Sequence, residues 1–325
     1  MKAIVCDRYG SPDVLRLEEV EKPSPRDNQV LVKVHASSLN AADVELLGGS
    51  IFARMGGPLK PRHRIPGSDV AGRVVAVGRN VKRLKEGDAV FGDLFERGFG
   101  AFAEYVAAPE DVLLRKPDSI SFEDAATLPQ AARIAIQSLR GKRLLKKGQK
   151  VLVNGAGGGM GTFAVQIAKH YGAEVTGVDS MMKLEMLRAI GADHVIDYAR
   201  DDCTRSGERY DFIFDTIAHR SIFDYRRVMA PDGLYVLVGG SRYAILQAIL
   251  LGPLVSIASK KKMGVNPWNV NYKEDLQFLL ELHEKGRLSP VIDRRSDLTE
   301  VPEALKDLSR GLVMGKVVIT VEHDD

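Results

Sequence analysis

The stretch "VLVNGAGGGMGTFAVQ", residues 151–166, puts five glycines into the seven positions from Gly155 to Gly161, between an apolar run and an amphipathic one. A chain that gives up so many side chains in one turn must bring main chain, or something held by main chain, into close contact there. A strand feeding a glycine-rich turn that opens a helix is the arrangement that binds a dinucleotide. The turn reads Ala156-Gly157-Gly158-Gly159-Met160-Gly161, an A-x-G-x-x-G pattern. Gly158 lets the backbone approach a pyrophosphate without a Cβ, and Gly161 lets the helix lie close to its strand. Free N–H groups and the positive end of the helix dipole then face the phosphates. Asp179, followed by Ser180, ends the next strand 18 residues beyond Gly161, where an acid can take the adenosine ribose hydroxyls. A glycine run alone is a weak signal; its place at the head of a strand–helix series makes it specific.

The rest of the chain has two rhythms. Up to about residue 120, short β-branched runs such as residues 29–37 and 69–78 alternate with turn signals at Gly87-Asp88 and at Gly98 and Gly100, which suggests a barrel-like β domain. After Ser121, a suitable N-cap, "FEDAATLPQAARIAIQSLR" reads as one helix. Strands near residues 151–153, 175–178, 194–196, 212–214 and 234–238 then alternate with helices near 160–171, 181–189 and 221–229. That alternation specifies an α/β fold with a doubly wound parallel sheet. The closing segment, from about Trp268 to the strand "GKVVITV", is too small to fold alone, so it is expected to return and complete the β domain.

Composition narrows the function classes. Forty-six Lys and Arg against 43 Asp and Glu leave a net charge of +3 over 325 residues, too little and too dispersed for nucleic-acid binding. Two cysteines, Cys6 and Cys203, form neither a disulfide framework nor a zinc cluster. No apolar leader is evident, so a reducing cytoplasm is the default. Residues 243–258 are apolar but shorter than the roughly 20 residues of a spanning helix, and Gly252-Pro253 interrupts them. They read as a helix covering a cleft or a subunit contact, with peripheral membrane contact as the alternative. His35 lies in a strand and reads as structural.

"VLVNGAGGGMGTFAVQIAKHYGAEVTGV" and "LRAIGADHVIDY", with "PGSDVAGRVVAVG", "GDAVFG", "GAFAEYVAAP", "YVLVGG" and "GKVVIT", make the chain resemble the zinc-independent quinone oxidoreductase branch of the medium-chain dehydrogenase/reductase superfamily. The resemblance runs the whole length. It implies a GroES-like β-barrel domain (residues 1–122 and 267–325) carrying an inserted Rossmann dinucleotide-binding domain (residues 123–266). It also implies NAD(P)H-dependent reduction of quinones or α,β-unsaturated carbonyls, and a homodimer pairing through the sheet edge near residues 265–271. Where zinc-dependent relatives place a cysteine and a Gly-His-Glu motif, this chain has Asn40 and Ser68-Asp69, so no zinc is expected.

The same resemblance assigns the site. Asn40 matches the asparagine beside the nicotinamide ribose and substrate, where an amide can donate to a developing oxyanion. Asp43 completes an N-x-x-D pattern and should hold that loop. Gly239-Gly240 would let backbone touch the nicotinamide amide. Lys183 and Tyr198 match contacts to the NADPH 2′-phosphate, whereas Asp179 fits NADH; a carboxylate against a phosphate dianion is repulsive unless Lys183 compensates. NADPH is preferred on the resemblance, and Lys183 would otherwise be an ordinary exposed helix position. Glu45 stands where relatives carry tyrosine or lysine, and Ile134 where they carry a threonine, with Gln130 and Arg133 as candidate replacements for the lost hydroxyl. These departures keep open the alternative of a cofactor-binding redox-sensing or scaffold module with little turnover; the apolar residues 243–258, which could line a pocket for a fatty chain, keep open a long-chain enoyl reductase.

Overall fold

In "QVLVKVHASS" every second residue is apolar, and the strand Gln29–Ser38 buries Val30, Val32 and Val34 while Gln29, Lys33 and His35 stay partly exposed. One face of an antiparallel sheet thus meets the core. The computed structural model describes residues 1–95, 97–140, 144–258, 260–265 and 273–323. They divide into two compact units, Met1–Ala131 with Val270–Glu284 and Pro290–Asp325, and Ala132–Asn269 with Lys285–Ser289.

In the first unit, Gln29–Ser38 is the central strand of a seven-stranded sheet, paired antiparallel with Asp69–Val77, Tyr105–Pro109 and the C-terminal strand Lys316–Thr320. The tail does return to complete the β domain, with Val318 opposite Ser38. The core beneath combines Val30, Val32, Val34, Val70 and Phe102 with Val301, Leu305, Val317 and Ile319 from the far end of the chain.

The second unit holds a six-stranded sheet, all parallel: β1 (Lys150–Asn154), β2 (Glu174–Asp179), β3 (His194–Asp197), β4 (Tyr210–Asp215), β5 (Met229–Leu237) and β6 (Lys262–Val265). Their spatial order, β3-β2-β1-β4-β5-β6, reverses direction beside β1, and the carboxyl ends of strands at such a switch point form the binding crevice of doubly wound folds. Val151, Leu152 and Val153 are all fully buried, as strands covered on both faces require.

Two helical segments differ from the sequence-based reading. The helix expected after Ser121 is capped as foreseen, Asp124 N donating to Ser121 Oγ, but it breaks into Phe122–Thr127, a π-helical turn Leu128–Ala132 and Arg133–Arg140. Pro129 has no N–H to give the fourth residue back, and the wider turn absorbs the loss. The apolar segment from Tyr243 splits into Arg242–Leu250 and Gly252–Ala258, because Pro253 cannot continue the first helix and Gly252 runs within a side chain's reach of Met263 O. Among the described residues no helix is long and apolar enough to cross a membrane. Of the sheet edge expected to pair across a two-fold axis, Val265 ends β6, while residues 266–271 lie outside the described residues.

Candidate active site

The glycine turn joins β1 to the helix Gly159–His170. Gly155 takes φ +76°, and its N–H and that of Ala156 both donate to Val178 O at 3.0 Å, which bends the chain over the end of β2. A Cβ on Gly161 would lie 2.2 Å from Gly155 O, so the helix start is pressed onto the turn with no room for any side chain. Gly158 is different: its nearest neighbour would be Gly155 O at 3.5 Å, an ordinary contact. Packing therefore forces glycine at 161 and leaves 158 open. Gly158 is also the N-cap, no side chain caps the helix, and Lys169 and His170 sit in its last turn. Gly159, Met160 and Gly161 open this 12-residue helix with no side-chain cap on their N–H groups, at its positive end, the kind of place an anion can be held. Ala156, fully buried, holds the turn against the sheet.

Asp179 does not present a free carboxylate. Oδ2 accepts from Gly157 N at 2.7 Å, Oδ1 accepts from Ser180 N at 2.8 Å, and Lys183 Nζ stands 3.6 Å from Oδ1. Lys183 is buried, not an exposed helix position; its stem lies across Gly157, where a Cβ would meet Lys183 Cδ at 2.6 Å. Acid and lysine form one knot that ties the glycine turn to the end of β2. Tyr198 is exposed beside it, its N–H donating to Asp179 O, and the exposed Arg200 reaches Met181 Sδ at 4.0 Å. Arg200 escaped the sequence reading, since a lone arginine after a strand carries no signal. Gly239 and Gly240 follow β5; a Cβ would come within 2.7 Å of Thr216 O and 2.3 Å of Ala218 O respectively, so backbone packing alone requires both glycines.

In the first unit, Asn40, Asp43 and Asp69 meet with a residue the sequence did not mark. Lys316, 2% exposed, donates through Nζ to Leu39 O and to Asn40 Oδ1, each at 2.7 Å, and stands 3.6 Å from Asp69 Oδ2. Asn40 Nδ2 donates to Asp69 Oδ2 at 2.8 Å, as does Ser38 Oγ. Asp43 Oδ2 accepts from Asn40 N at 2.8 Å, a capping box that starts the helix Ala41–Leu47. Burial pushes the Asp43 carboxyl up to about 7, opposed by the Asn40 N–H and reinforced by Asp69. Burial also lowers Lys316 from the ordinary lysine range, against the pull of Asp69 and Asp43. A lysine opening an apolar strand looks, in sequence, like a solvated strand end. Gln130 is buried with Nε2 donating to Ser68 Oγ at 3.3 Å, Glu45 is exposed on the helix after Asn40, and Ile134 and Arg133 are buried in the second unit.

Comparison with known proteins agrees with both units. Residues 26–118 match the alcohol dehydrogenase GroES-like domain, and residues 190–319 match the zinc-binding dehydrogenase family. A 2-methylene-furan-3-one reductase of Solanum lycopersicum is 35% identical, with 98% of this chain and 79% of that protein covered. A chloroplastic NADPH-dependent alkenal/one oxidoreductase of Arabidopsis thaliana is 34% identical over the same shares. The solved quinone oxidoreductase from Coxiella burnetii superposes with a TM-score of 0.89 at 30% identity, covering 99% of each chain.

Two predictions follow from this geometry. Gly158→Ala should leave the melting temperature within about 2 °C of wild type yet weaken reduced-nucleotide binding by about tenfold or more in calorimetry, whereas Gly161→Ala should destabilise the fold by about 1–3 kcal/mol. Because Asp43 holds its proton more tightly folded than unfolded, its stabilisation is complete at acid pH and lost as pH rises through about 7. Thermal melts should therefore lose about 2 kcal/mol between about pH 5 and 8, and Asp43→Asn, which keeps the acceptor for Asn40 N, should flatten that slope.

Proposed function

Because the chain belongs to the quinone and enone oxidoreductase branch of the medium-chain dehydrogenase/reductase superfamily, we propose that it is a zinc-free, NADPH-preferring reductase of α,β-unsaturated carbonyls and quinones. The observation that carries this reading is the turn at Gly158, where packing does not require glycine and the helix that follows has no side-chain cap. A nicotinamide dinucleotide held there supplies hydride to an electrophilic β-carbon or a quinone. Preference for NADPH is supported by the Asp179–Lys183 knot: the carboxylate's oxygens are engaged by Gly157, Ser180 and Lys183, so the repulsion a bare acid would exert on a 2′-phosphate is largely cancelled. Ser180, Lys183, Tyr198 and Arg200 then remain as its contacts.

Zinc does not fit the residues present. At the positions matched to metal ligands stand an amide and a carboxylate already bonded to each other, with an ammonium 3.6 Å from that carboxylate. A divalent cation would have to sit against that ammonium. Among the described residues, no group of three His, Cys, Asp or Glu side chains is placed to hold a metal ion. Activation of the substrate oxygen falls instead to Asn40, as a hydrogen-bond donor to the charge that develops on it as hydride arrives. Proton delivery to the enolate or hydroquinone needs no dedicated acid when water supplies it.

The working form we propose is a cytoplasmic homodimer. Its support is the place of β6 at the edge of the sheet among the described residues and the exposed apolar side chains Tyr243, Leu246, Ile249, Leu250, Leu254 and Ile257 on the two helices before it. Cys6 and Cys203 are free and buried, each pushed up to about 11 by desolvation, so neither is a reactive thiolate at neutral pH. Light scattering at micromolar protein should return twice the chain mass of 35.6 kDa; a monomer would remove the dimer.

The activity is tested by following nicotinamide absorbance with a panel of quinones and 2-alkenals and both reduced nucleotides. Turnover of at least one class, faster with NADPH, is expected. Tight nucleotide binding with no acceptor reduced would favour a binding module instead. Lys183→Ala should raise KM for NADPH about tenfold while changing KM for NADH about twofold at most; an unchanged ratio would remove Lys183 from phosphate recognition.

A further inference from the structure

We propose that Lys316 is a positioning residue for Asn40, holding that amide in one orientation so that its spare N–H is aimed at the substrate oxygen; this rests on the reductase reading above. A primary amide has one acceptor and two donors. Asn40 Oδ1 is taken by Lys316 Nζ at 2.7 Å and one Nδ2 proton by Asp69 Oδ2 at 2.8 Å. The ammonium can only donate and the carboxylate can only accept, so the amide cannot turn over without setting donor against donor and acceptor against acceptor. The second Nδ2 proton has no acceptor among the described residues. Amide planarity then fixes its direction, because the other two corners of the group are pinned.

The cost of the arrangement points the same way. An ammonium held at 2% exposure is expensive, and an apolar side chain of similar length would commonly serve stability as well or better. Here the three donors of Nζ are spent on Leu39 O, on Asn40 Oδ1 and towards Asp69, all at or beside one asparagine. The backbone that carries Lys316 is itself fixed, its N–H donating to Val291 O at 2.9 Å at the head of a strand paired in register with Gln29–Ser38, the strand that leads into Asn40. A positive charge against Oδ1 also draws electron density from the amide, which strengthens its remaining N–H as a donor where negative charge develops. Asp69, Asp43 and Asp93 are the acidic groups around Nζ, from three different elements. Preorganised in this way, Asn40 needs no reorientation when charge appears on the substrate.

The test is a mutant cycle on the acceptor that wild type reduces fastest. Lys316→Met keeps the stem and removes the donor; it should lower kcat about tenfold or more while KM for the acceptor and the calorimetric Kd for NADPH stay within about twofold. Lys316→Arg, which restores a fixed cation, should recover part of kcat. In an Asn40→Ala background the Lys316→Met change should cost about twofold or less, since there is no amide left to orient. A cooperatively folded Lys316→Met enzyme with wild-type kcat overturns the proposal. So does a loss of equal size with and without Asn40, which would mean general damage. Should Lys316→Met fail to fold, the same cycle with Lys316→Gln, a neutral donor, decides: undiminished kcat overturns the charge argument, and a loss confined to the Asn40 background supports it. A readout free of turnover is the Asn40 side-chain amide in ¹⁵N spectra, resolved and slowly exchanging in wild type and fast-exchanging in the variant; no change there overturns the proposal. A wild type that reduces no acceptor refutes the reductase reading separately, leaving the spectral result to judge the orientation.

Discussion

Among the described glycines of the second unit, a Cβ would meet main chain most tightly at Gly161, where the first turn of a helix lies on the carbonyl of Gly155 in the loop that precedes it. That contact sets the angle at which the helix leaves β1, and with it the direction of three uncapped N–H groups. Any side chain at 161 would push helix from turn and turn those donors away. The glycine at 158 answers to a different demand, since the protein leaves space there. Two glycines three residues apart thus mark the inside and the outside of the same turn, one fixed by packing and one with room for a side chain.

The two units handle buried charge differently. At the end of β2, Asp179 is satisfied by two main-chain N–H groups and faced by one lysine, so its charge is spent on holding the turn in place. At the end of Gln29–Ser38, Lys316 faces Asp69 across Asn40, and Asp43 caps the next helix with a carboxyl that burial biases towards the protonated form. Neutralisation there comes from a buried lysine beside Asp69 and from the raised proton affinity of Asp43. The same polar groups that would be a liability in an apolar core are nearly all bonded, which is the condition for a buried network to fix geometry. Asp69 Oδ1 is an exception, buried with no partner among the described residues.

Alternation of apolar runs with amphipathic ones was enough to place five of the six parallel strands, and the glycine spacing to place the turn between β1 and its helix. The small size of the closing segment extended this to the returning C-terminal strand. Local spacing left side-chain direction and helix continuity open. Asp179 was placed correctly at the end of its strand, but a position in sequence gives no direction for a carboxylate, and this one points at Gly157. Lys183 looked exposed because a lysine in a first helical turn usually is; the turn folded over its stem. The single helix expected from residue 122 breaks because Pro129 has no N–H to donate to the carbonyl four residues back, and the apolar segment from residue 243 divides at the Gly252-Pro253 pair that already interrupts it in sequence.

By itself, then, the sequence determined the layered sheet, the glycine-rich turn at its switch point and the residue types available for chemistry, because these depend on spacing within about 20 residues of chain. Only tertiary structure decided what Asn40 bonds to. Its partners are Asp69, 29 residues on, and Lys316, 276 residues on, and no local pattern links them. A hydrogen bond between side chains depends on where two backbones come together and how each rotamer is closed in by its neighbours. That is settled by the register of Lys316–Thr320 against Gln29–Ser38, and by the core that holds the two strands in that register.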